Sequence, residues 1–116
     1  MPDLLHLSYE LRAANLTEYC PLITDGKFSG FAQGPYICQI SPEAATGGPI
    51  ALIKDKDQIE IDILKNKVNV RLSDDELNRR RNEWKPKEPK VRRGYLTLWA
   101  RFANPASKGA GLPYNI

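Results

Sequence analysis

The strongest constraint on this chain lies between residues 58 and 72, where two short runs alternate strictly. In QIEIDI (58–63), Ile59, Ile61 and Ile63 share one face while Gln58, Glu60 and Asp62 share the other. KVNVRL (67–72) repeats the pattern with Val68, Val70 and Leu72. A period of two sends successive side chains to opposite faces of a strand. The intervening Leu64–Asn66 leaves room only for a turn. The segment is therefore expected to form an antiparallel hairpin with one packed face and one wet face.

Around it lie shorter apolar runs. CPLIT (20–24), GPYICQI (34–40) and Ile50–Lys54 are strand candidates, separated by TDGKFSG (24–30), Ser41-Pro42 and TGGP (46–49), which carry turn residues. Helical spacing appears in LLHLSYELRAAN (4–15), behind Pro2. Ser73-Asp74-Asp75-Glu76 reads as a capping box. The Ser73 hydroxyl would accept from the third helical N–H while Glu76 reaches back to the Ser73 N–H. Leu77, Arg80 and Trp84 then form a narrow stripe, and Pro86 and Pro89 stop the helix. GYLTLWARFA (94–103) predicts a second amphipathic helix with Tyr95, Leu98, Trp99 and Phe102 together. The stretch from Pro105 onward, rich in Gly, Pro and small residues, is expected to be ordered only where something covers it.

The expected class is α+β in one domain over 1–116: an opening helix (1–16), a β-rich core (20–72), helices at 73–85 and 94–104, and an irregular tail (105–116). A sheet of about five short alternating strands closes or packs on helices to remove its edges. No strand precedes CPLIT to pair with it, so an incomplete domain is expected.

No apolar run approaches the roughly 20 residues of a membrane-spanning helix, and the N-terminus lacks a signal-peptide layout. A cytoplasmic protein without a membrane partner is the expectation. Cys20 and Cys38 are far apart, and His6 cannot complete a metal set with them. They are expected to be buried small hydrophobes. The net charge of +3 hides an asymmetry. Residues 1–78 hold 7 basic and 12 acidic groups, whereas 79–93 hold 8 basic and 2 acidic. A basic segment attracts phosphate groups, but only Trp84 interleaves as a stacking residue. A solvated helix face, or one docked on another part of the same protein, is preferred over a nucleic-acid partner.

The chemistry-bearing candidate is Ser29, in a loop after a buried strand and flanked by Asp25 and Lys27. A serine needs a base or a metal to act. The single His6 lies 23 residues upstream and G-x-S-x-G is absent, which argues against a hydrolase triad. The stretch also lacks the earlier Gly and adjacent Lys-Ser/Thr of a phosphate loop. By its residues alone, Thr24–Gly30 is a structural turn.

Four segments taken together change that reading. LITDGKFSG (22–30), SPEAATGGPIALIKDKDQIEIDI (41–63), LSDDELNRRRNEWKP (72–86) and RRGYLTLWARFANPASKGA (92–110), in this order, resemble the C-terminal region of the dihydroxy-acid dehydratase family, which includes sugar-acid and phosphogluconate dehydratases. The resemblance implies a swivelling β/β/α-type, barrel-like sheet with flanking helices. It implies loss of water from a 2,3-dihydroxy acid to give a 2-oxo acid, with an iron–sulfur cluster and Mg²⁺ as cofactors. Ser29 would take the C2 proton, supported by Thr24, Asp25, Gly26, Lys27 and Gly30. Lys27 stands where the family usually has Arg, and Phe31 where a small residue is usual. Met1-Pro2-Asp3 is similar to the family's Gly-Met-Pro-Glu motif, making Asp3 a candidate Mg²⁺ ligand. The family's cluster cysteines and its other Mg²⁺ ligands belong to an N-terminal domain. The chain alone is therefore expected to bind neither cofactor and to dehydrate nothing. Its expected partners are that domain or subunit, a dihydroxy acid, and a second copy in a homodimer. The SKGA run (107–110) points to a branched-chain substrate. A non-catalytic remnant or binding module is the alternative.

Overall fold

The computed structural model describes residues 2–28 and 32–113, without the side chains of Pro2 and Asp3. Helix α1 spans Pro2–Ala13. Strands β1 (Leu22–Ile23) and β2 (Tyr36–Ile37) follow, then 3₁₀ turns at Ala44–Thr46 and Pro49–Leu52. Strands β3 (Ile59–Asp62) and β4 (Lys67–Val70) come next. Helices α2 (Asp74–Glu83) and α3 (Leu96–Phe102) and a 3₁₀ turn at Ala106–Lys108 complete the order.

The alternating runs form the expected hairpin. β3 and β4 pair antiparallel with Ile59 opposite Val70 and Ile61 opposite Val68, so the apolar residues share a face. The turn holds because Asp62 Oδ1 accepts from the Lys65 N–H at 2.9 Å and Asn66 takes a left-handed φ of 53°, which Asn tolerates better than most residues. The other two strands pair parallel, Leu22 with Tyr36 and Ile23 with Ile37. A parallel pair needs a long connection, and here that connection is the serine loop.

Ile50–Lys54 is not a strand. Pro49 opens a 3₁₀ turn there, its ring pre-setting φ at the first helical position, and the Ala51 N–H donates to the Gly48 carbonyl at 2.9 Å. The turn drives Leu52 inward, where it is 3 % exposed. The cysteines also depart from expectation, since both are exposed. Alternation explains Cys38: the half-buried Ile37 faces inward, so the next side chain faces out. Cys20 precedes β1 in an exposed stretch beside Tyr19.

Helix α2 starts as expected, with Ser73 Oγ accepting from the Glu76 N–H at 3.2 Å. Glu76 turns away from the other half of the box, toward Arg79 and Arg80. Leu77, Arg80 and Trp84 are the inward stripe. Arg80 donates to Asp57 and to the Leu52 carbonyl, tying α2 to the Pro49–Leu52 turn. Three of the basic residues in 79–93 are thus neutralised locally: Arg79 by Glu76 and Glu83, Arg80 by Asp57 and Glu76, and Arg92 by Glu88.

Among the described residues only Phe28 and Leu52 are buried hydrophobics. Leu98, Trp99 and Phe102 of α3 remain about 40 % exposed. An open groove of about 480 Å³ lies between the two sheets, lined by Ile23, Ile40, Ile50, Ile59, Val68 and Val70. The accessible surface is 9486 Å², whereas a compact monomer of 13.1 kDa shows about 6,400 Å². The radius of gyration, 16.2 Å, likewise exceeds the roughly 13 Å of a compact domain this long.

Candidate active-site loop

The loop that leaves β1 is pinned before it reaches Ser29. Beyond the two-residue ladder, the Thr24 N–H donates to the Ile37 carbonyl and the Ile40 N–H to the Thr24 carbonyl. The Gln39 N–H donates to the Gly26 carbonyl at 2.8 Å. Thr24 Oγ1 accepts from the Gly26 N–H at 3.0 Å, a side-chain turn that threonine favours. Thr24 and Gly26 are therefore structural members of the loop.

Asp25 points the other way. Its Oδ2 accepts from the Ala44 N–H at 2.8 Å, binding the loop to the turn after Ser41-Pro42. Lys27 is exposed. Phe28 is buried, with its ring 5.1 Å from that of Tyr36 at 31°, within the range of favourable aromatic pairs. Ser29, Gly30 and Phe31 lie outside the described residues. Thr24, Asp25, Gly26, Lys27 and Phe28 lead directly to them, anchored by backbone bonds, a carboxylate and a ring.

Asp3 is on α1, remote in sequence from this loop, and its side chain lies outside the description. Among the described residues no group of three or more His, Cys, Asp or Glu side chains is placed to hold a metal ion.

Sequence reasoning missed two residues, Ser41 and Glu43, in the turn that the loop binds. Glu43 Oε1 accepts from the Ala106 N–H at 2.7 Å, and Ser41 Oγ donates to Ser107 Oγ at 3.0 Å. Together they fasten the stretch expected to be an irregular tail. The local signal was the sequence Ser-Pro-Glu ahead of a short turn, but its partners are more than 60 positions away.

The family follows from comparison. Residues 1–110 match the model of the dihydroxy-acid/6-phosphogluconate dehydratase C-terminal family. The chain is 46% identical over 110 residues to a dihydroxy-acid dehydratase of Thermodesulfovibrio yellowstonii, covering 95% of this chain and 20% of the relative. It is 45% identical over 114 residues to one from Ignicoccus hospitalis, covering 98% and 21%. With one from Archaeoglobus fulgidus the identity is 47% over 112 residues, covering 97% and 20%. This chain thus spans about a fifth of the length of these relatives. By both measures it belongs to the dihydroxy-acid/6-phosphogluconate dehydratase C-terminal family.

Proposed function

We propose that this chain supplies the serine loop of a hydro-lyase that converts 2,3-dihydroxy acids to 2-oxo acids. Branched-chain dihydroxy acids are the preferred substrate class, and sugar acids the alternative. The supporting observation is a match over nearly the whole chain to relatives named dihydroxy-acid dehydratase, with Ser29 directly after an anchored segment.

In this reading Ser29 Oγ, ionised to the alkoxide, receives the proton from C2 of the substrate. The electrons of that C–H bond become the C2–C3 double bond, the C3–O bond breaks, and the hydroxyl departs as water with a proton from solvent, to which Ser29 later returns its own. The enol then tautomerises to the 2-oxo acid. A serine is a weak base unless another group activates it. An iron–sulfur cluster and Mg²⁺ would supply Lewis-acid chemistry in such an enzyme. The described residues do not fit either group, having two exposed cysteines and no metal-ligand cluster. Asp3, whose side chain lies outside the described residues, would be a Mg²⁺ ligand.

The excess surface would belong to contacts with the rest of the enzyme. The groove between the sheets and the apolar face of α3 would receive the part of a dehydratase that this chain's match leaves uncovered. The swivelling β/β/α barrel would be completed there, in a cytoplasmic enzyme that pairs as a homodimer. No described helix is long and apolar enough to cross a membrane.

The test is a chimera of the Thermodesulfovibrio yellowstonii dehydratase with its matching 110 residues replaced by this chain. The chimera should form 2-oxo acid from a branched 2,3-dihydroxy acid. Ser29→Ala should lower kcat by about a hundredfold or more, with little change in KM. A Ser29→Ala chimera as fast as its parent would refute the assignment.

A further inference from the structure

The side-chain bonds around the serine loop form a chain of contacts that ends far from it in sequence. Asp25, four positions before Ser29, takes the Ala44 N–H. The neighbouring Glu43 takes the Ala106 N–H, and Ser41 in the same turn bonds Ser107. The segment they hold is itself closed, because the Asn104 N–H donates to the Gly111 carbonyl at 2.9 Å and the Lys108 N–H to the Pro105 carbonyl at 2.8 Å. The Asp25 carboxylate ties the loop to the turn and the Glu43 carboxylate ties the turn to the closed segment, with a single peptide unit between Glu43 and Ala44. The turn itself is stiff: the Gly48 and Thr46 N–H groups both donate to the Glu43 carbonyl, and Gly48 packs against the Pro42 carbonyl.

We infer that Asp25 and Glu43 are positioning residues for Ser29, coupling the serine loop to the closed segment 104–111 through the Pro42–Ala44 turn. This rests on Ser29 being the reacting group. Neither carboxylate needs to touch substrate. Phe28 fixes the loop from one side by ring packing, and Asp25 fixes it from the other through a backbone that the 104–111 segment holds in place.

The experiment uses the same chimeric enzyme. Asp25→Ala and Glu43→Ala should each lower kcat by roughly 10- to 100-fold, the scale expected when a reacting group moves by about an ångström, while KM stays within about threefold. Asp25→Asn and Glu43→Gln keep an acceptor oxygen and should restore most of the rate. The double alanine variant should lose little more than either single one, because both act on one coupling. Amide exchange gives a readout independent of turnover: Glu43→Ala should speed exchange at Ala106 and also at Gly26 and Ala44. Exchange that rises at Ala106 alone, with kcat within twofold of the parent, overturns the inference. If Ser29→Ala is fully active, it is the reading of Ser29 that fails. If Ser29→Ala is inactive while both carboxylate variants retain full rate, only the coupling fails.

Discussion

Replacing Gly48 by alanine should be the most disruptive single-methyl change in the described chain. Gly48 has an ordinary φ of −59°, so the backbone conformation does not demand glycine. Space does. A Cβ there would lie 1.8 Å from the Pro42 carbonyl oxygen and 2.5 Å from its carbon, against the 3.0 Å that real Cβ atoms respect. One backbone segment must therefore retreat by at least about 1.2 Å (the difference of those two distances). The atoms in the way are backbone, so no rotamer change relieves the contact. Overpacking costs about 1–3 kcal/mol, and the rigidity of this contact places Gly48→Ala at about 3 kcal/mol. That corresponds to roughly a hundredfold more frequent opening of the turn. The assay is amide exchange at Ala44 and Thr46 of the same turn, with Gly111→Ala as the control, since a Cβ at Gly111 meets nothing within 4 Å. Exchange should rise about a hundredfold in Gly48→Ala and stay near the parent in Gly111→Ala. Equal exchange in the two variants would refute the steric argument.

Three other outcomes are expected. Hydrogen bonds from Arg79 first, and Arg80 second, push the Glu76 carboxyl down to about 2, and the Arg80 guanidinium lowers that of Asp57. Because both folded values lie below the unfolded ones, the stabilisation is complete above about pH 4.5. It should fade as pH falls toward 2, and a denaturation midpoint unchanged from pH 5 to pH 2 would contradict it. Ser73→Ala removes the acceptor for the Glu76 N–H and should cost about 1 kcal/mol in urea titrations; a loss below about 0.3 kcal/mol would mean the cap is idle. The purified chain, supplied with iron, sulfide and Mg²⁺, should form no 2-oxo acid from a dihydroxy acid, and clear turnover would overturn the need for a larger enzyme.

The hairpin and α2 were legible because their determinants are local. Strict alternation in QIEIDI and KVNVRL gave the shared face of Ile59, Ile61, Val68 and Val70, and Ser73 marked the start of α2. Ile50–Lys54 was misread because a short apolar run has no period, and the decisive neighbours, Pro49 and Gly48, act through ring geometry and close approach. Cys20 and Cys38 are exposed because strands that last two residues bury little of what flanks them. For the loop, turn residues predict the turn in which Thr24 bonds Gly26, whereas only family likeness makes the Ser29 candidate a site. The contacts of Asp25 and Glu43 span 19 and 63 positions, beyond any local pattern.

Those spans also have a consequence in time. A ribosome adds roughly 5–20 residues each second, so Glu43 waits about 3–13 seconds for Ala106 to be made, given the 63 positions between them. Once residue 84 is made, still ahead of Ala106, the hairpin and α2 have all their local bonding partners, while the turn beside the serine loop lacks its distal clamp. Nascent chains released early would thus carry a folded hairpin and an unset loop. Protease sensitivity near Ser41–Ala44 should mark that population.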